Sequence, residues 1–528
     1  MKKIISVLLV VLLTFSFFAC GGDDSPENLE VDKEYMRYDV TDKQKTPIVG
    51  FGAQMDTDIF MPWNNLTAED EKIWEDRIAD MNLKYTRVKY YPEMFERAND
   101  NDDPDVFDYN AEGVDFDCVE MQALYKILDI CQKYDIKVDL GSYNCYNWFE
   151  SYDGKYEGSW LGVDTSGFAQ ETWTCGPSDF EEYAENISVL LQYLINEKGY
   201  TCIWGFSHIQ EAYVNAEGAA PYEDYVRCVK TIDERFEKDG IRDKVKLIYS
   251  GSVPANSNLR MLRDEVAELE GVVDVIGTAT YPPAEQLNEN SCIYYEDLAE
   301  IRDEFGLNYI SISEFCEGGH FLDAVNKTDI DSYEAGITVA RLCVNAASRG
   351  VTAFSHYILG DTMFTNAYIH TMGLWAYKEW HDYYAGPLQM KKEDFIPYGA
   401  RPEYYFYGLI CKYTDTGSYA YRVETDELPY EEYERGADVC AVAFELPNGA
   451  WTYILVNKGT TERKIAIVNQ LESRPGNMNL YRITEDVIPE DRACVLPGAV
   501  GTVSAESGVA YLTVPANGML LVSDKTFA

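Results

Sequence analysis

CIWGFSHIQEAY, residues 202–213, begins as an apolar run and ends in a polar patch that carries Gln210 and Glu211. NYISISEF, residues 308–315, repeats the pattern and ends at Glu314. Each reads as a buried strand with a carboxylate at its C-terminal tip, the position where a (β/α)8 barrel carries its functional side chains. The spacing between them leaves room for three intervening βα units. The expectation is that Glu211 and Glu314 face each other across one pocket.

Outward from these two stretches, strands and helices alternate. Strands are predicted from Ile48 and over 84–90, 136–143, 202–211, 245–250, 272–281, 309–314 and 351–359. Helices are predicted over 67–82, 116–134, 178–199, 221–239, 259–269, 294–305 and 332–349. Thr67 is a natural cap for the first helix, with Glu69, Asp70 and Glu71 in its favourable first turn. Eight strands alternating with helices predict a parallel sheet closed into an α/β (β/α)8 TIM barrel. The loops over 91–115 and 144–177 are long. The first is acidic, and the second carries Trp148, Trp160 and Trp173. Loops at this end of a barrel build clefts.

After about Gln389 the texture changes to short alternating runs split by Gly, Asn and Pro. Asn448-Gly449 between two such runs is a hairpin signal. This predicts a C-terminal antiparallel β-sandwich. Residues 34–40 also read as a strand.

The N-terminus, MKKIISVLLVVLLTFSFFAC, places two lysines before an apolar run too short for a stable span. It resembles a bacterial lipobox, which implies cleavage before Cys20 and lipid attachment there. The acidic pair Asp23-Asp24 is similar to a surface-export signal. The expected layout is a signal peptide at 1–19, a lipidated tether and strand at 20–45, the barrel at 46–388 and the sandwich at 389–528. The expected location is the outer membrane, lipid-anchored and facing outward.

The 528 residues include 44 basic and 90 acidic side chains, a net charge of −46, which argues against nucleic acid and anionic membrane as partners. A membrane contact is expected only through lipid at Cys20, and the protein is expected to be a monomer. The remaining twelve cysteines form no CxxC pair and no zinc-like spacing, so buried thiols are the default, with a disulfide left open. With five histidines and no third ligand near His208 and Glu211, no metal and no cofactor are expected.

The stretch GFGAQMD, residues 50–56, together with ISEF at 312–315 and YYFYGL at 404–409, resembles glycoside hydrolase family 30 and its clan A relatives. In family 30 a segment upstream of the first barrel strand joins the sandwich, and residues 34–40 match it. The resemblance implies a retaining β-glycosidase in which Glu211 is the acid/base and Glu314 the nucleophile, two carboxyls in different states on opposite sides of one bond. It also implies that Arg87 and Tyr281 hold Glu314. Gln210 stands where the clan usually has the Asn that binds a sugar 2-hydroxyl, and it offers the same groups one methylene further out. Asn144, Trp148 and Tyr357 complete the expected substrate-binding residues. Trp148, Trp160, Trp173 and Trp375 are each either sugar platforms or packing. The implied substrate is an extracellular polysaccharide or its oligosaccharides. The rival reading is a glycan-binding lipoprotein, inactive because Gln210 displaces the acid/base.

Overall fold

The computed structural model describes residues 29–142, 145, 151–162, 176–209, 222–250, 259–281, 289–316, 330–364, 368–385, 390–427 and 437–527. Strand β1 (Met36–Pro47) precedes eight strands that form a closed parallel barrel. These are β2 (Gly50–Ala53), β3 (Tyr85–Tyr90), β4 (Lys137–Ser142), β5 (Ile203–Ser207), β6 (Lys246–Tyr249), β7 (Val275–Thr280), β8 (Tyr309–Phe315) and β9 (Ala353–His356). Closure runs through β2, which pairs with β9 along Gly50–Ala53 and with β3 at Gly52. The Gly-Phe-Gly sequence is dictated by that seam. A Cβ on Gly52 would sit 1.6 Å from the Tyr85 carbonyl oxygen, so only glycine lets the two strands meet. Phe51 points outward, stacked on Phe354 at 4.3 Å.

The helices are α1 (Ala68–Met81), α2 (Val119–Tyr134), α3 (Phe180–Gln192), α4 (Tyr222–Lys238), α5 (Leu259–Glu268), α6 (Glu289–Glu304), α7 (Tyr333–Ala347) and α8 (Pro402–Lys412). Thr67 and Asp70 form a reciprocal capping box on α1, and Asn82 ends it in the left-handed region. The helix expected over 178–199 stops earlier. It passes into a single π turn at Tyr193–Glu197, and Gly199 then takes φ +77°. The change of texture read after Gln389 comes before the barrel's own end. Helix α8 packs on α7 and α1 as the eighth barrel helix, and its buried Tyr407 hydroxyl bonds the Gly52 backbone on both sides.

Among the described residues ten further strands follow β9. The first two form a small hairpin, β10 (Thr362–Met363) and β11 (Ile369–His370), close to the barrel mouth. The other eight are β12 (Tyr419–Glu424), β13 (Val439–Glu445), β14 (Trp451–Asn457), β15 (Arg463–Asn469), β16 (Asn477–Ile483), β17 (Gly501–Ser504), β18 (Val509–Val514) and β19 (Gly518–Ser523). With β1 they make one nine-stranded sheet in the order β17-β16-β19-β14-β13-β12-β1-β15-β18. It is antiparallel except for the β1/β15 pair, and it folds over so that β18 lies against β14 and β19. Period-2 alternation then buries both faces of β13. Ala441 and Ala443 enter the core between the layers, while Val442 and Phe444 join the barrel's outer core. Phe444 meets Phe51 edge-on at 5.9 Å, so the two domains share one apolar seam.

Candidate active site

The floor of the barrel is apolar, formed by Val49, Tyr85, Ala353, Trp204 and Tyr309. Higher up, inward positions become charged. In β3 the alternation that sends Tyr85 inward also sends Arg87 and Lys89 inward, two and four residues on. In β8 Ser311 points inward, where its hydroxyl meets Tyr85, while Ile310 and Ile312 pack outward. Strict alternation would therefore turn Glu314 out with the isoleucines. A register shift between Ile312 and Glu314 against β7 resets the phase, and Ser313 bonds the Thr278 carbonyl at 3.1 Å. The bulge is what aims Glu314 into the barrel.

Glu314 is 6 % exposed. Arg87 donates to its Oε1, Lys89 Nζ lies 3.5 Å from the same oxygen, and the Tyr281 hydroxyl donates to Oε2 at 2.6 Å. Burial alone would raise the Glu314 pKa. The charges of Arg87 and Lys89 and the Tyr281 hydrogen bond outweigh it and hold the carboxyl below its ordinary value. Glu314 is therefore ionised at neutral pH although it is almost dry.

Arg87 is shared. It also donates to Gln54 Oε1, and the charge of Asp139 reaches it from β4. Asp139 accepts from Ser207 at 2.9 Å, and burial pushes its carboxyl up to about 6 against the pull of Arg87. Gln54 Nε2 bonds both oxygens of Asp56, at 2.9 and 2.7 Å. Asp58 is raised well above its usual range by burial and by Asp56 beside it. Tyr357 caps this group. Lys89 lies 5.1 Å from its ring centre, Tyr281 meets it edge-on at 6.4 Å, and His370 Nδ1 is 3.4 Å from its hydroxyl. Burial and Lys89 push His370 down to about 4, so it is neutral.

The structure thus brings together Arg87, Tyr281, Glu314 and Tyr357. Glu211, Gln210, Asn144, Trp148 and Cys20 lie outside the described residues, as does Trp173. The described part of β5 ends three strands round the ring from β8, and Ile209 follows it with φ +28°, a strained value for a β-branched residue. Two candidates are packing residues instead. Trp375 is fully buried against Trp74, at 5.1 Å, so it is no sugar platform. The Trp160 indole donates to the Glu96 carbonyl at 2.7 Å and braces a loop. His208 is buried on the Tyr183 hydroxyl at 3.1 Å, and burial pushes it down to about 3. His356 bonds Glu403 at 3.0 Å outside the barrel. Lys89, Gln54, Asp56, Asp58 and His370 were not singled out from sequence. Lys89 was readable, since it shares the inward phase of Arg87.

No protein-family model matches the chain, and no curated protein matches it. Solved structures do. A family 30 endoxylanase from Clostridium papyrosolvens C71 aligns over 93 % of this chain and 100 % of its own, with a TM-score of 0.59 and 10 % identity. The fold is that of the family 30 glycoside hydrolases. A conserved exported protein from Bacteroides fragilis covers 92 % and 99 %, with a TM-score of 0.62 and 13 % identity. An endo-β-1,6-glucanase covers 94 % and 96 %, with a TM-score of 0.57 and 12 % identity. A xylanase and a glucanase on one fold show that the fold leaves the substrate to loops and side chains.

Proposed function

We propose that this chain is a retaining β-glycoside hydrolase acting on an extracellular polysaccharide or its oligosaccharides. The observation that carries the reading is a dry carboxylate, Glu314, kept ionised at the mouth of a family 30-type barrel by Arg87, Lys89 and Tyr281. In the first step Glu314 attacks the anomeric carbon while Glu211 gives its proton to the leaving oxygen. The C–O bond breaks and a glycosyl ester forms on Glu314. In the second step Glu211 takes a proton from water, the water oxygen attacks the same carbon, and Glu314 leaves as carboxylate. Both cations sit on Oε1, so Oε2, held by one neutral phenol, is the better attacking oxygen. Neither step calls on a metal. The N-terminal sequence supports anchoring through lipid at Cys20, which Cys20→Ala should release from the membrane fraction.

The test is hydrolysis of a panel of β-linked glycans, with the product anomer followed by NMR from the first turnover. Net retention, lost together with activity in Glu314→Gln, is the expected result. Inversion would overturn the mechanism. Glycan binding with no turnover would favour a capture protein over an enzyme.

A further inference from the structure

Away from the barrel axis, the acidic loop after β3 meets helix α3. Glu182, Glu185 and Asn186 share one face of that helix, at spacings of three and four. Asp100 reaches them from the loop. One carboxylate oxygen from each of Asp100, Glu182 and Glu185 lies within 4.8 Å of the others. Oxygens bound to one calcium at about 2.3–2.6 Å are at most about 5 Å apart, so the spacing suits that ion.

The second observation is a set of buried oxygens with nothing to bond. Glu96 is 1 % exposed and Asn186 is 0 % exposed. Asn186 Nδ2 is used, donating to the Pro92 carbonyl at 3.1 Å and to Glu96 Oε2 at 2.9 Å. Asn186 Oδ1 and Glu96 Oε1 have no hydrogen-bond partner, nor do Asp100 Oδ1, Glu182 Oε2 and Glu185 Oε1. Buried acceptors almost always have partners, and orphan oxygens on all three converging carboxylates, with two more on Asn186 and Glu96 next to them, describe a place for a hard cation. Glu96 is pushed up to about 8 by burial and by Asp100, Glu185 and Glu182 around it. Burial likewise pushes Glu185 up to about 7, with Arg235 the opposing cation. Arg235 Nη2 is 3.7 Å from Glu185, but its Nε is committed to Asp239 at 2.5 Å and its Nη1 to the Pro104 carbonyl. Among the described residues one guanidinium, 3.7 Å from Glu185, stands against four carboxyl groups.

We propose that Asp100, Glu182 and Glu185, with Glu96 and Asn186 beside them, form a binding site for a divalent cation of calcium's size. The ion clips the loop that leaves β3 to helix α3. That loop starts one residue after the strand that carries Arg87 and Lys89, so the clip stiffens one wall of the barrel mouth. The sequence spacing of cysteines and histidines gave no hint of it, because the ligands are carboxylates brought together by the fold. The inference stands independently of the glycosidase reading.

The test uses the full purified chain, stripped with EDTA. Calcium is expected to raise Tm by roughly 2–4 °C at about a hundredfold excess over its dissociation constant. Calcium should also displace terbium whose luminescence is excited through nearby aromatics such as Trp160. Asp100→Asn, on the loop, and Glu182→Gln should each lose both signals while folding normally. No calcium response in the wild type overturns the site. So does an undiminished response in both variants. An equal response to magnesium overturns the assignment of ion size.

Discussion

Two clusters of buried acids sit near the barrel mouth, and they are built in opposite ways. Around Glu314 the chain supplies its own counter-charges, Arg87 and Lys89, and the carboxyl is held below its ordinary pKa. Around Glu185 it supplies one distant guanidinium, and the carboxyls of Glu96 and Glu185 are pushed up to about 8 and 7. Burial opposes ionisation at both sites, so the difference lies in the partners. A carboxylate compensated from within is ready to act as a nucleophile. A group of carboxylates left short of positive charge is ready to accept it from solution. The same residue type therefore points to chemistry in one place and to ion binding in the other.

The contrast can be broken most sharply at its first pole. Glu314→Gln removes the nucleophile while keeping its shape and one of its two accepting oxygens, and turnover should fall by roughly 10⁴-fold or more, with glycan binding retained. Comparable kcat in wild type and variant would end the double-displacement proposal. Glu211→Gln should cost about 10²–10⁴-fold, most for substrates with poor leaving groups, and added azide should restore part of the rate on activated ones. Arg87→Met leaves Glu314 buried with Lys89 at 3.5 Å and the Tyr281 hydrogen bond. Breaking a buried pair in this way costs about 3–5 kcal/mol, which denaturant unfolding would report as a lower midpoint.

Lys89→Met is the milder probe of the same compensation. The Glu314 pKa in the folded protein is depressed, so its stabilisation is full above the unfolded value of about 4.3 and is lost as pH falls through the folded value. Removing Lys89 raises the folded pKa. Acid unfolding should begin at a higher pH, and the acidic limb of kcat/KM should move up by about one unit. An unmoved limb would mean that Lys89 does not share in holding Glu314.

Much of this was legible before any coordinates, and the reason is periodicity. Strand and helix alternation over eight units specifies a barrel, and the resemblance carried by Gly50-Phe51-Gly52 marked its first strand. Arg87 came from the family resemblance, and because β3 is a regular strand, alternation extended by two residues from it would have found Lys89. Glu314 stands near the tip of β8, yet the alternation of Ile310 and Ile312 argues against its orientation. A bulge is a local insertion in the ladder, and the one-dimensional pattern does not reveal its phase change. Trp375 failed as a platform because burial depends on what packs above a residue, here Trp74. The Asp100–Glu182–Glu185 group was out of reach for the same reason. Its members come from a loop and a helix far apart in the chain, and an acidic loop alone reads as solvated surface.

The smallest expected effect is also the most discriminating at the second pole. Glu185→Gln removes one acid from a buried group short of counter-charge, and it gives up only a loose 3.7 Å contact with Arg235. In EDTA this should stabilise the protein, raising Tm by about 1–2 °C, because an uncompensated buried charge is costly. In saturating calcium the sign should reverse, since the wild type gains an ion that the variant binds poorly. A carboxylate with a purely structural role would shift Tm in the same direction under both conditions. Reversal of sign is therefore the result that separates an ion cage from a strained corner of the fold, and it can be read without a substrate.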